Sequence, residues 1–164
     1  AARFGGEVGL DYVTEDEGER QLQRRVFERI LRCCEDCGDR ILTIHSRRAA
    51  ADVIAMLDGF GGTPILHWFS GTQEQVHAAP ENVYFSINTA MIASRRGRNL
   101  IMAMPRDRLL LETDGPFVQI DERPARPHDL HLVVEFFARQ WNCSEMAAAE
   151  QLSANFAGLQ GACA

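Results

Sequence analysis

A chain of 164 residues, 46% hydrophobic and 24% charged, has the size and make-up of one globular domain with a substantial core. Its formal net charge of −6 argues against a broadly basic nucleic-acid binder, but leaves room for a metal site that meets phosphate. No apolar run approaches the roughly 20 residues of a membrane span. The five cysteines, odd in number and with Cys33, Cys34 and Cys37 close together, suit a reduced, cytoplasmic setting better than a disulfide framework.

In chain order, Arg3–Tyr12 (RFGGEVGLDY) sets Glu7 among glycines and predicts a core strand at Val8–Leu10. A carboxylate between glycines is unusual there, because strand interiors disfavour both residue types. Thr14–Glu19 reads as an acidic loop. From Arg20 to Cys37, Leu22, Val26, Phe27, Ile30, Leu31 and Cys34 recur at helical spacing, and Gly38 supplies the stop. Cys34 and Cys37, with no second pair nearby, read as a packed helix edge rather than a zinc site. Arg40–Arg48 (RILTIHSRR) predicts a strand through Ile41, Leu42 and Ile44 with His45 at its end, then a helix over Ala49–Leu57. Pro64–Gly71 (PILHWFSG) repeats the design, with Ile65 and Leu66 as strand and His67 at its end. A short helix over about Gln73–Ala79 follows. Next come a strand over Val83–Ile87 ending at Asn88, and a weaker helix over Ser94–Met104, interrupted by Gly97.

Arg108–Phe117 (RLLLETDGPF) is the most telling stretch. Leu109–Leu111 is a wholly apolar run, as expected of a strand buried on both faces. Glu112, Thr113 and Asp114 follow at once, where such a strand leaves the core for its rim. The tail predicts an amphipathic helix over Asp129–Trp141, with Phe136 beside its main face, and a last helix capped by Ser144 and reaching Leu152. Strand and helix alternate without a hairpin signal, which points to an α/β fold with parallel strands near Val8, Ile41, Ile65, Tyr84 and Leu110. Glu7, His45, His67 and Asp114 lie within or at the ends of four of them. Parallel strand ends share one rim, so these side chains can meet. Imidazoles with carboxylates are ligands for zinc, manganese or magnesium in hydrolytic sites.

GEVGLDY, IHSR, HWFSG and LLLETDGPF together resemble the TatD family of metal-dependent hydrolases, from about Gly6 to Asn155 and Phe156. The resemblance implies a (β/α)8 TIM-barrel type of fold, with a divalent-metal site on the C-terminal rim. It implies that Glu7 bridges two metals, that His45 and His67 bind one of them, and that Asp114 binds metal and orients or deprotonates the attacking water. The family's first strand carries HxH, which supplies two further ligands; this sequence has none. His128 and His131 have two residues between them and cannot substitute. The chain begins at Ala1 without methionine, and a strand follows within a few residues. The expectation is therefore a single hydrolase domain over residues 1–164 that is N-terminally incomplete, holding the last five β/α units. Trp68 stands where the family has a small residue or cysteine. Arg126, Pro127, His128 and Asp129 stand where it has an Arg-Asn-Glu-Pro-like segment.

The implied function is a deoxyribonuclease that hydrolyses phosphodiester bonds with water activated by divalent metal, two ions in a complete site. Arg47, beside His45, is a candidate phosphate contact, since a guanidinium can pair two oxygens. Glu112 reads as a partner of the site or a member of a barrel salt bridge rather than a ligand. Two alternatives stand beside this. One is a catalytically incomplete remnant or interaction subunit with a partial metal site. The other is an amide or ester hydrolase of the same superfamily. The expected partners are DNA or another phosphodiester substrate and, because a shortened barrel exposes sheet edges, a complementary N-terminal chain or an oligomer.

Overall fold

The alternation read from the sequence becomes, in the computed structural model, an alternation of strands and helices; the structure describes residues 3–36 and 40–161. Cys37 and Gly38, on which the predicted helix stop and the Cys34–Cys37 pair rest, lie outside the described residues. The chain divides into two compact units, residues 1–85 and 86–164. No helix among the described residues is long and apolar enough to cross a membrane.

The first unit runs β1 (Phe4–Gly9), α1 (Glu17–Asp36), β2 (Ile41–His45), α2 (Ala50–Met56), β3 (Thr63–His67) and α3 (Gln73–Ala78). The strand β4 (Tyr84–Ile87) then carries the chain into the second unit. β1 pairs parallel with β2, and β2 with β3, so all three point their C-terminal ends the same way. Ile41, Leu42 and Ile44 of β2, Ile65 and Leu66 of β3, and Val53, Ile54 and Leu57 around α2 are buried. The predicted strand at Val8–Leu10 lies earlier, at Phe4–Gly9; Leu10 is fully buried just beyond its end. Helix α1 starts within the supposed acidic loop because Asp16 caps it. The Asp16 Oδ1 atom accepts the Glu19 N–H at 3.0 Å, and Glu17 and Glu19 suit the positive end of the helix. Its buried face is narrower than the spacing predicts. Phe27 and Leu31 are buried, whereas Leu22 and Val26 are about half exposed, at 54% and 51%.

In the second unit, Asn88 Oδ1 accepts the Met91 N–H at 3.1 Å and caps α4 (Thr89–Ala93), a helix the sequence reading did not separate. Ser94 then caps α5 (Arg95–Ile101), its Oγ accepting the Gly97 N–H at 2.9 Å. Gly97 thus belongs to the first turn of the helix and does not interrupt it. A 3₁₀ turn over Arg106–Arg108 leads into β5 (Leu109–Leu111), with Leu109 and Leu110 buried as expected. β5 lies beside the end of β4, where the Glu112 N–H donates to the Ile87 carbonyl at 3.1 Å. A small antiparallel hairpin follows, β6 (Gln119–Ile120) and β7 (Arg123–Pro124). The helix predicted from Asp129 is a 3₁₀ turn over Pro127–Leu130 followed by α6 (His131–Trp141). Phe136 is buried, edge-on to Phe137. The last helix, α7 (Glu145–Gly161), runs well beyond Leu152. It buries Ala148, Leu152, Asn155 and Leu159, spaced three or four residues apart. Asn155 ties it to the start of β5, donating through Nδ2 to the carbonyls of Arg106 at 2.9 Å and Leu109 at 2.8 Å.

Asp129 is the buried anchor of the segment between the hairpin and α6. Its carboxylate accepts two bonds from Arg123, at 2.7 and 2.6 Å, and the Arg126 N–H at 2.7 Å. The Arg123 bonds, which outweigh burial, hold this carboxyl far below its ordinary range. A group whose folded pKa is depressed contributes stability above its unfolded pKa, about 4, and that contribution is lost as pH falls toward the folded value. Urea melts at pH 7 and pH 3 should therefore show wild type losing stability on acidification. Asp129→Asn should be less stable at pH 7 and show a visibly smaller loss between the two.

Candidate metal centre

Two neighbouring strands bring the first ligand-type residues together, through an irregularity in their pairing. Gly5 is opposite Leu42 and Val8 opposite Ile44, so β1 carries one more residue than β2 between these pairs. A bulge of this kind re-aims a side chain. In unbroken register Glu7 would stand opposite Ile44 and share the side of that buried residue. The bulge puts Val8 there and frees Glu7 to reach the imidazole at the end of β2. Glycines permit the close approach. Gly6 has φ +140° and a Cβ there would lie 2.8 Å from the Thr43 carbonyl oxygen; Gly9 has φ +137° and a Cβ there would lie 2.1 Å from the His45 carbonyl oxygen. Other residues neither adopt these angles readily nor fit these gaps.

The outcome is a compact donor set. Glu7 Oε1 lies 2.9 Å from His45 Nδ1 and 3.7 Å from His67 Nε2. One ligand atom from each of Glu7, His45 and His67 falls within 4.8 Å of the others. His67 is well enclosed, with its side chain 10% exposed, while Glu7 and His45 are 45% and 32% exposed. Two imidazoles and a carboxylate, with one side open, are the donors of a site for zinc or manganese that leaves room for water or substrate. The residues thus fit a divalent cation.

Asp11, just past the buried Leu10, faces the other side of the same ring. Its Oδ2 is 3.0 Å from His45 Nε2. Burial pushes the Asp11 carboxyl up, but the Val13 N–H, His45 and the charge of Arg47 together outweigh it and hold it below its ordinary value. The residue after it is pinned by polar contacts. The Tyr12 hydroxyl donates to Asp52 Oδ2 at 2.6 Å, and Arg24 donates to the same oxygen at 3.0 Å and to Glu17 at 2.6 Å. Burial and the Asp52 carboxylate raise the Tyr12 hydroxyl pKa, and the Tyr12 bond lowers that of Asp52. No pattern of spacing marks Asp11 as a partner of His45; the only cue is a second carboxylate four residues after Glu7 in the same glycine-rich stretch.

The remaining candidates have definite places. Arg47 is exposed in the turn after His45, its carbonyl accepting the Tyr12 N–H at 2.9 Å. Trp68 follows His67 with a left-handed backbone, φ 39°. In the second unit, Asp114 follows β5 half-buried with φ 49°, a conformation that aspartate tolerates better than most residues. Glu112 accepts a short bond from the Ser86 hydroxyl and one from Asn88 Nδ2 at 3.0 Å.

The family model for TatD related DNase matches residues 5–161. A protein described as 3'-5' ssDNA/RNA exonuclease TatD, from Edwardsiella piscicida, is 33% identical over 120 residues, covering 69% of this chain and 45% of that protein. The metal-dependent hydrolase YabD of Bacillus subtilis is 31% identical over 121 residues, covering 69% and 46%. The crystal structure of YJJV, a TatD homologue from Escherichia coli K12, superposes with a TM-score of 0.80 at 23% identity, covering 94% of this chain and 62% of that one. That likeness shows the fold, α/β of the TIM-barrel type. The chain spans about half the length of the curated relatives it matches.

Because β1 approaches β2 so closely at Gly9, Gly9→Ala should destabilise the fold. Urea unfolding should show a loss of about 2–4 kcal/mol from strain and steric conflict. Gly61→Ala, at an exposed position where a Cβ would meet nothing within 4 Å, should cost much less in the same assay.

Proposed function

Since this chain belongs to the TatD related DNase family, we propose that it is a metal-dependent hydrolase of phosphodiester bonds, acting on DNA. The observation that carries the reading is the convergence of Glu7, His45 and His67 at the ends of β1, β2 and β3. The names of the relatives, a metal-dependent hydrolase and an exonuclease on single-stranded nucleic acid, support the reaction class and make a single strand the first substrate to test. The family match crosses both compact units, which supports reading residues 1–164 as one hydrolase domain. The odd cysteine count suits a cytoplasmic location.

Each residue has a role in this reading. Glu7 would hold the metal through its carboxylate, and His45 and His67 through their imidazoles. Magnesium, manganese or zinc, two ions in a complete site, would offset the charge of the phosphodiester oxygens and make water a readier nucleophile. Asp114 would serve as ligand and base, its carboxylate orienting the attacking water and taking its proton, a role that rests on the family motif LLLETDGPF. Arg47, exposed beside His45, pairs with oxygens of the scissile or neighbouring phosphate. Asp11 and Glu112 hold neighbouring groups in place.

One observation favours a second reading, a partial metal site without turnover: none of the five histidines forms an HxH pair. Calorimetry and cleavage separate the two. The chain should bind Mn²⁺, and His67→Ala should weaken binding at least ~10-fold, about 1.4 kcal/mol. On end-labelled single-stranded DNA with Mn²⁺, the hydrolase reading requires cleavage that a chelator stops. Asp114→Asn should then slow it by roughly 10²-fold or more with the melting temperature little changed. Binding without chelator-sensitive cleavage selects the partial site, and absence of binding rejects both.

A further inference from the structure

We propose that Asp11 is a positioning residue for this centre: its carboxylate takes the Nε2–H of His45 and thereby commits Nδ1 as the metal-ligating atom. The proposal rests on the reading of Glu7, His45 and His67 as a metal site, and adds to it the group that decides how one of the ligands is presented.

The ring of His45 lies between two carboxylates, with Glu7 Oε1 2.9 Å from Nδ1 and Asp11 Oδ2 3.0 Å from Nε2. A neutral imidazole has one N–H and one lone pair. A cation needs the lone pair, so the position of the proton decides which side of the ring can bind. The Nδ1 side is where the donors gather, since Glu7 Oε1 is also 3.7 Å from His67 Nε2. Placing the proton on Nε2 gives Asp11 a donor and leaves Nδ1 open toward Glu7 and His67. Either placement turns the lone pair toward a carboxylate, but only on the Glu7 side do three donors gather, so only there can a cation stand between the lone pair and the anion. The reverse placement would spend the N–H on Glu7 and leave the lone pair against Asp11 alone. Metal-ligating histidines generally hand their second N–H to such an acceptor, which fixes both tautomer and ring orientation.

Asp11 is itself held as a fixed acceptor. Its Oδ1 accepts the Val13 N–H at 2.9 Å, so the carboxylate cannot rotate away from His45 without giving up that bond. Its main chain is clasped from α1 by the amide of Gln23, whose Oε1 accepts the Asp11 N–H at 2.7 Å and whose Nε2 donates to the Asp11 carbonyl at 3.0 Å. A helix thus sets the position of Asp11, and Asp11 sets that of the ring. With its side chain 40% exposed, Asp11 should matter more to the tautomer and to metal affinity than to the stability of the fold.

Two measurements on the full chain test this. Long-range ¹H–¹⁵N spectra of the metal-free protein at pH 8 report the tautomer of each histidine, and competition with a chelator gives the Zn²⁺ affinity. Wild type should carry the His45 proton on Nε2. Asp11→Ala removes the acceptor. Asp11→Asn is nearly isosteric, but it can keep its oxygen on the Val13 N–H only by turning its NH₂ toward His45. Both should move the proton to Nδ1, where Glu7 accepts it, and lower Zn²⁺ affinity ~10–100-fold. Unchanged circular dichroism in Asp11→Asn shows that the effect is not loss of fold. A wild-type His45 proton on Nδ1 overturns the proposal. So does Zn²⁺ binding that is lost in His67→Ala but stays within about twofold of wild type in both Asp11 variants, since a positioning partner is worth at least ~10-fold; that result leaves the metal-site reading standing. Failure of the wild-type chain to bind Zn²⁺ overturns the metal-site reading and this proposal together.

Discussion

The first unit depends on how closely β1 runs against β2. A strand that kept unbroken register would place Glu7 opposite Ile44, where a charged group would be buried without a partner at heavy cost. The extra residue between Gly5 and Val8 removes that conflict and turns the carboxylate toward His45. Gly6 and Gly9 make this possible, because each has a backbone angle and a contact that a side chain would not tolerate. The glycines weaken the strand as a strand. What they offer in return is a rim on which an acid and an imidazole meet without long side chains having to reach.

Around that contact, polar side chains do the work of orientation. Asp11 faces His45 from the side opposite Glu7, Gln23 clasps the backbone of Asp11, and Tyr12, Asp52 and Arg24 link the segment after β1 to α1 and α2. These groups are partly exposed, so each contact contributes modestly to stability. Their value lies in holding donor atoms where a cation could use them. The second unit follows the same logic at β4 and β5: the buried Ser86 and Asn88 hold Glu112, and Asn88 also caps α4. Asp114 emerges two residues beyond Glu112.

Family membership and geometry bear on different questions. The match over residues 5–161 settles the kinship, and the likeness to the YJJV structure settles the fold. Neither carries the relatives' substrates across to a chain that spans about half their length. The proposed chemistry rests instead on three side chains whose donor atoms converge.

By itself the sequence determined whatever burial dictates. Short apolar runs set between loops read as strands of a covered sheet, and β2, β3 and β5 appear where Ile41–Ile44, Ile65–Leu66 and Leu109–Leu111 predict them. His45 and His67 at the ends of such strands were legible as neighbours, because parallel strands share a rim. What depends on hydrogen bonds between distant residues was not legible. The hairpin β6–β7 turns on Asp121 and Glu122, both with positive φ, and carries no Asn-Gly or Asp-Gly signal. The face of α1 that is buried, and the length of the alanine-rich α7, were set by what packs against them. The bulge at Glu7, and Asp11 as the partner of His45, required the register of β1 on β2. Periodicity records which residues leave water; only tertiary structure decides which polar atoms then face one another.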